Sequence, residues 1–164
     1  MRTRTITWDD PMIGARAARG MTGLEYLRAI QRGDLPRPPI AWSLDFTLES
    51  VEEGRVVFGM TPGEHHYNPI GVVHGGVAAT LLDSAMGSAV HATLPAGVGY
   101  ATVELKVNLL RAVTLDTGPV RAEGTVLHAG RRTALTEGRL TDAAGRLLAH
   151  ATSTCLIVRA DGAG

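Results

Sequence analysis

The chain has 164 residues, enough for one domain and little more. Sixteen Lys and Arg balance sixteen Asp and Glu, which removes the electrostatic case for nucleic acid or an anionic membrane as a principal partner. An apolar fraction of 45% argues against disorder. The single cysteine, Cys155, excludes an intrachain disulfide framework and any multi-cysteine zinc site.

The first 20 residues show no clear period and read as a loose arm. With Arg2, Arg4, Asp9 and Asp10 and no apolar run, the start is not a secretory signal. The longest later stretch without charge, Ser84–Val103, is too broken by Gly and Pro for a membrane span. A cytoplasmic protein is the expectation. Leu24, Leu27 and Ile30 recur at helical spacing, so Gly23–Arg32 reads as a short amphipathic helix ended by Gly33. Pro36, Pro38 and Pro39 then force an extended linker. The period falls to two over Trp42–Val51 and Arg55–Met60, joined by a turn at Glu53-Gly54. A Gly-, Pro- and Asn-rich loop follows, and Val77–Ala92 is the one long helical segment. Four more strands read as Ala101–Leu110, Val120–Ala129, Thr133–Thr141 and Arg146–Val158. In the first of these, Val103, Leu105, Val107 and Leu109 alternate against Thr102, Glu104, Lys106 and Asn108. Short connections require antiparallel pairing. The expected class is α+β, one long helix against a sheet of about six strands. The boundaries are an arm over 1–39, the domain over 40–158 and a tail over 159–164.

On a helical wheel, Val77, Ala78, Ala79, Leu81, Leu82, Ala85, Met86, Ala89 and Val90 form a wide apolar arc. The opposite arc carries Thr80, Ser84, Gly87, Ser88 and His91, with Asp83 at its edge. A solvated face would carry Lys and Glu. Small uncharged residues instead predict that this face is also covered, by more sheet or by the same helix of a second subunit. Between residues 65 and 103, Asp83 is the only Asp, Glu, Lys or Arg, in a chain that is 20% charged. A dry carboxylate holds its proton more tightly and suits general-base work near neutral pH.

His74-Gly75-Gly76 precedes the helix, with no Ser, Thr, Asp or Asn cap unless His74 serves. The unpaired N–H groups and positive dipole end of a helix start suit an oxyanion, and glycines let it approach. Asp83 lies eight residues after Gly75, about 12 Å along the axis at ~1.5 Å per residue. One water cannot touch both. Either the two features do different jobs, or Asp83 serves the helix start of a second subunit, which makes a homodimer a requirement of the chemistry.

These residues resemble a known family. His66-Tyr67-Asn68-Pro69-Ile70-Gly71, then His74-Gly75-Gly76, then Leu82-Asp83-Ser84-Ala85 are similar to the hotdog-fold acyl-CoA thioesterases, above all the phenylacetate-pathway (PaaI-type) branch. Thr102–Arg111, Gly130–Asp142 and the closing strand through Cys155 extend the likeness from about Gly23 to Val158. The resemblance implies a long helix wrapped by an antiparallel sheet, in a homodimer and often a homotetramer. It implies hydrolysis of an acyl-CoA without metal or other cofactor. By position, Asp83 matches the base or nucleophile from the neighbouring chain, and Gly75 the N–H that polarises the thioester carbonyl. Asn68 matches the side chain that places water or thioester, and Thr102 a hydroxyl near the carboxylate. His74 and Gly76 join them at the helix start. Arg131 and Arg132 are candidates for the CoA phosphates, although a solvated hairpin turn explains them almost as well.

His65, His66 and His74 do not match a helical metal motif. Cys155, without a basic neighbour, reads as a core residue, and His91 as a hydrogen-bonded interface residue. Two other functions stay open: a hydratase or dehydratase of acyl thioesters, which would rely on a catalytic His, and a non-catalytic acyl-CoA sensor.

Overall fold

Six antiparallel strands form one sheet in the computed structural model, which describes residues 1–159. They are β1 (Phe46–Glu52), β2 (Arg55–Met60), β3 (Val98–Leu109), β4 (Val120–Ala129), β5 (Thr133–Asp142) and β6 (Leu147–Arg159), in the spatial order β1-β2-β4-β5-β6-β3. The chain leaves the sheet after β2, runs through the long helix α4 (Gly75–His91) and returns as the far edge strand β3. This is the hotdog arrangement expected from the motifs.

The sheet wraps α4 because its inner face is built from small residues. Ala122 and Gly124 on β4, Ala134 and Gly138 on β5, and Ala149 and Ala151 on β6 all point at the helix and are buried. A Cβ at Gly124 would lie 2.4 Å from the Ala85 carbonyl carbon, so only glycine allows β4 and α4 to approach this closely. Into that trough α4 drops Leu81, Leu82, Ala85, Met86 and Ala89, all essentially inaccessible to water. Fully burying a Leu or Met side chain contributes about 1.5–3 kcal/mol.

The expected strand and helix positions hold to within a few residues except at the start of the domain. There, Pro39–Ser43 forms a short helix (α3) and β1 begins only at Phe46. Pro39 occupies the first helical position, where its missing N–H costs nothing. The arm is also better ordered than a period-based reading predicts. Pro11–Ala17 is a helix (α1) whose cap is Asp10, accepting from the Met12 N–H at 2.9 Å. Arg4 donates to the carbonyls of Ser43 and Trp42 at 2.9 and 3.1 Å, tying the arm to α3. Gly23–Arg32 is helical as expected (α2), opened by a reciprocal Thr22–Glu25 capping box and ended by Gly33 in the left-handed region. Of the expected tail, Arg159 is the last residue of β6; 160–164 lie outside the described residues.

One strand departs from simple alternation. A bulge between Thr102 and Glu104 lets Thr102 pair with Cys155 and Leu105 with Ser153, both inner-face partners. Thr102 therefore faces α4 together with Leu105, Val107 and Leu109, not the outer side with Glu104 and Lys106.

Candidate active site

The helix start is organised by His74. As N-cap, it accepts the Gly76 N–H on Nδ1 at 2.8 Å, and its carbonyl takes the Val77 N–H at 2.9 Å. Nδ1 is thus committed as an acceptor, and the Gly76 amide is not open to a ligand. Gly76 thus stands at the helix start with its amide already paired within the chain. The Gly75 N–H, by contrast, has no hydrogen-bond partner among the described residues. It opens on a cavity of about 230 Å³ bounded by Asn68, His74, Ala78 and the 109–113 segment. A methyl at Gly75 would come within 2.5 Å of the Leu109 Cδ1, so the end of β3 presses against the helix start there.

Asn68 enters the same cavity from the preceding loop. Its Oδ1 accepts the N–H groups of Ile70 and Val72 at 3.0 and 3.3 Å, and its own N–H donates to the Val72 carbonyl at 2.8 Å. The side-chain oxygen is spent on the turn, which leaves the carboxamide NH2 without a hydrogen-bond partner among the described residues. The loop is anchored by His66, buried and held through both ring nitrogens: Nδ1 accepts the Gly63 N–H at 2.9 Å and Nε2 meets the Leu44 carbonyl at 3.0 Å. Burial, then the adjacent His65 ring, lowers the His66 pKa and keeps it neutral. His66 is therefore a structural clamp.

Asp83 sits farther along α4 and is half-buried. Thr102 donates to its Oδ1 at 3.0 Å. The neighbouring hydroxyls are committed to the helix itself, Thr80 donating to the Gly76 carbonyl and Ser84 to the Thr80 carbonyl. Asp83 does not line the cavity at Gly75. Within one chain, then, Asn68, His74 and Gly75 come together, and Asp83 and Thr102 form a separate pair. Arg131 and Arg132 are exposed in the β4–β5 turn and reach neither. Cys155 is fully buried, as expected. The His91 ring has no hydrogen-bond partner among the described residues; it lies between Tyr26 and Tyr100, with centroids 5.4 and 5.6 Å away. The pattern of apolar residues carried no signal for Leu109 as the wall against Gly75, because packing partners are set by the bulged register of β3.

Comparison with known proteins gives consistent results. The thioesterase superfamily model matches residues 70–149, the span from the loop before α4 into β6. Human acyl-coenzyme A thioesterase 13 is 33% identical over 109 residues, covering 66% of this chain and 76% of its own. A phenylacetic acid degradation-related protein from Ralstonia eutropha JMP134 superposes with a TM-score of 0.72 at 29% identity, over 80% of this chain and 98% of that one. A Streptococcus mutans UA159 protein solved with acetyl-CoA bound gives a TM-score of 0.64 at 27% identity, over 70% and 89% of the two chains.

Proposed function

The chain belongs to the thioesterase superfamily and is a thioester hydrolase; from that premise we propose that it cleaves acyl-CoA at a site shared between two subunits. The observation that carries this reading is the unpaired Gly75 N–H at the start of α4, lining a cavity with the Asn68 amide, while Asp83, the only carboxylate between residues 65 and 103, stands about 12 Å along the helix. The Gly75 N–H and the helix dipole stabilise charge on the thioester oxygen, an effect worth about 3–4 kcal/mol per donor in such sites. The Asn68 NH2 holds the water or the carbonyl. Asp83 of the partner subunit removes a proton from water, whose oxygen attacks the carbonyl carbon. The tetrahedral intermediate collapses, the C–S bond breaks, and the departing thiolate takes the proton back from Asp83. Acid and CoA thiol leave. No step calls on a metal or redox group.

The dimer that this requires is supported by β3. It is a 12-residue edge strand whose outer side is unpaired, and Val103 and Leu109 on it are 59% and 57% exposed. A long unpaired edge is a template for a second chain. Two β3 strands joined across a two-fold axis continue the sheet and set the helices side by side and antiparallel, each Asp83 toward the other chain's Gly75. Pairing of such dimers into a tetramer is part of the same proposal. Arg131 and Arg132 remain the candidates for the CoA phosphates. A His-based hydratase is disfavoured by the use of the His74 Nδ1 as a cap.

The test is thiol release from a panel of acyl-CoA thioesters by the wild type and by Asp83→Asn. Loss of about 10²–10⁴-fold in turnover with binding largely kept is expected for removal of a general base. Equal turnover in the variant removes Asp83 from the mechanism. Binding without turnover by the wild type favours the sensor.

A further inference from the structure

Arg4 of the N-terminal arm connects to Gly75 through hydrogen bonds joined only by neighbouring residues. Its two end nitrogens donate to the carbonyls of Ser43 and Trp42 at 2.9 and 3.1 Å, in the last turn of α3. A helix leaves its final carbonyls without internal partners, and a guanidinium fork supplies two donors at once. The next carbonyl, that of Leu44, meets the His66 Nε2 at 3.0 Å. Because the His66 Nδ1 accepts the Gly63 N–H, the proton of the neutral ring sits on Nε2, which is therefore the donor. The His66 carbonyl in turn accepts the His74 N–H at 2.8 Å. His74 is the N-cap of α4 and the residue before Gly75. Consecutive carbonyls at 42, 43 and 44 thus tie the arm and the site loop to one point.

Two features show that this point is actively held. First, Asp45, just after Leu44, has φ 55° and is the only non-glycine residue with positive φ among the described residues. Such a backbone is strained and persists where its surroundings over-determine it. Here the surroundings are Arg4 and His66, and Arg4 also stands 3.9 Å from the Asp45 carboxylate. Second, the contacts of the arm are unequal. Arg2 pairs with Glu64 at 2.7 Å, but 85% of its side chain is exposed, and such a pair contributes little. Arg4 keeps only 29% exposed, so its loss would leave covered carbonyls unpaired. Arg4, Leu44 and His66 all precede the span of the superfamily match, 70–149, so the support of the helix start comes from outside that span.

Resting on the hydrolase reading above, we propose that Arg4 is a positioning residue for the oxyanion site: through Leu44, His66 and His74 it fixes the direction of the Gly75 N–H and the seat of the Asn68 loop. Arg4 does not line the cavity at Gly75, so it acts without touching substrate. A donor set slightly wrong is felt when charge develops on the thioester oxygen and hardly at all in the ground state. The loss therefore falls on kcat and spares KM.

The test is a double-mutant cycle on the full chain, read in steady-state thiol release and in amide hydrogen exchange, with folding checked by thermal melting. Arg4→Ala is expected to lower kcat about tenfold, the effect of a hydrogen bond to a charged group, with KM kept. Arg4→Lys should recover part of that loss, and Arg2→Ala should match wild type. His66→Phe keeps the bulk of the ring and removes its donor, and is expected to lower kcat by at least as much. Adding Arg4→Ala to it should slow the enzyme by no more than about twofold, because both residues act along one path. The His74 amide, bonded to the His66 carbonyl, should exchange about tenfold faster in Arg4→Ala than in wild type. Rate losses that multiply in the double variant, a loss in KM with kcat kept, or an unchanged His74 amide overturns the proposal. The exchange measurement needs no substrate. A wild type that releases no thiol from any acyl-CoA overturns the hydrolase reading alone, and the His74 amide then decides the role of Arg4.

Discussion

The Thr102 hydroxyl donates to the Asp83 Oδ1 across 3.0 Å, from an edge strand to the middle of the central helix. The contact exists because of the bulge at Val103, which turns Thr102 from the outer to the inner face of β3. Strict alternation would point the hydroxyl away from α4 and leave the carboxylate free to rotate. A donor on one oxygen fixes the plane of the carboxylate and leaves the other oxygen for a proton. Thr102→Val is expected to lower kcat about tenfold, the effect of one hydrogen bond to a charged group, with little change in KM. Thr102→Ser should keep most of the rate. Steady-state thiol release from one acyl-CoA checks this, and a Val variant as fast as wild type would show that the hydroxyl is idle.

Sharing of the site between subunits has a quantitative signature. Chains with Asp83→Asn and chains with Asn68→Ala each form homodimers in which both sites are damaged. A mixed dimer rebuilds one intact site, from the Asn68 of one chain and the Asp83 of the other. An equimolar mixture refolded together is half mixed dimer, and each mixed dimer has one working site of two, so about a quarter of wild-type activity should return. Activity no greater than the mean of the two parent variants would place Asp83 and Asn68 in the same subunit's chemistry.

The long helix and the strands after it were legible because burial is two-sided and periodic there. The apolar arc of α4 and the alternation of β4–β6 follow from one helix lying in one trough. The arm was less legible for a physical reason. α1 is held by a cap and a terminal proline, Asp10 and Pro11, local signals that carry no hydrophobic period. Asp83 stood out by charge isolation alone, and Gly75 by the absent Ser, Thr, Asp or Asn cap. The facing of Thr102 was not readable, because a bulge leaves no mark on residue type. The commitment of the Gly76 amide to His74 was half readable: His74 was the one capping candidate, but which amide it would take depends on its rotamer.

At Gly75 the steric and chemical demands can be separated. Gly75→Ala adds a methyl 2.5 Å from the Leu109 Cδ1, a clash of the kind that costs about 1–3 kcal/mol. The variant is expected to melt lower than wild type and to lose most of its turnover, since relief requires the helix start or Leu109 to shift into the cavity. Leu109→Ala in the same chain removes the obstacle. If the amide alone matters, the double variant should regain a large share of the rate; if it stays inactive while its melting temperature recovers, the methyl itself blocks the thioester.

His66 provides a pH prediction independent of catalysis. Its ring accepts from the Gly63 N–H on Nδ1, so a second proton would destroy that bond and bring two donors face to face. Its folded-state pKa is below the ordinary value of 6.5, first through burial and then through the tilted His65 ring, whose centroid lies 3.9 Å away. The sign follows from linkage: where the unfolded chain binds a proton and the folded one does not, falling pH favours unfolding. Stability from this residue is therefore complete above about pH 6.5 and is lost progressively as pH falls toward the folded pKa. The same group anchors the loop that carries Asn68, so the cavity at Gly75 should loosen over the same range. His66→Gln can supply an acceptor and a donor without titrating. It is expected to melt lower than wild type at pH 8 but to show a shallower fall in melting temperature between pH 7 and pH 5. Parallel curves for the two proteins would assign the acid sensitivity to other groups, with His91, also lowered by burial, next to be replaced.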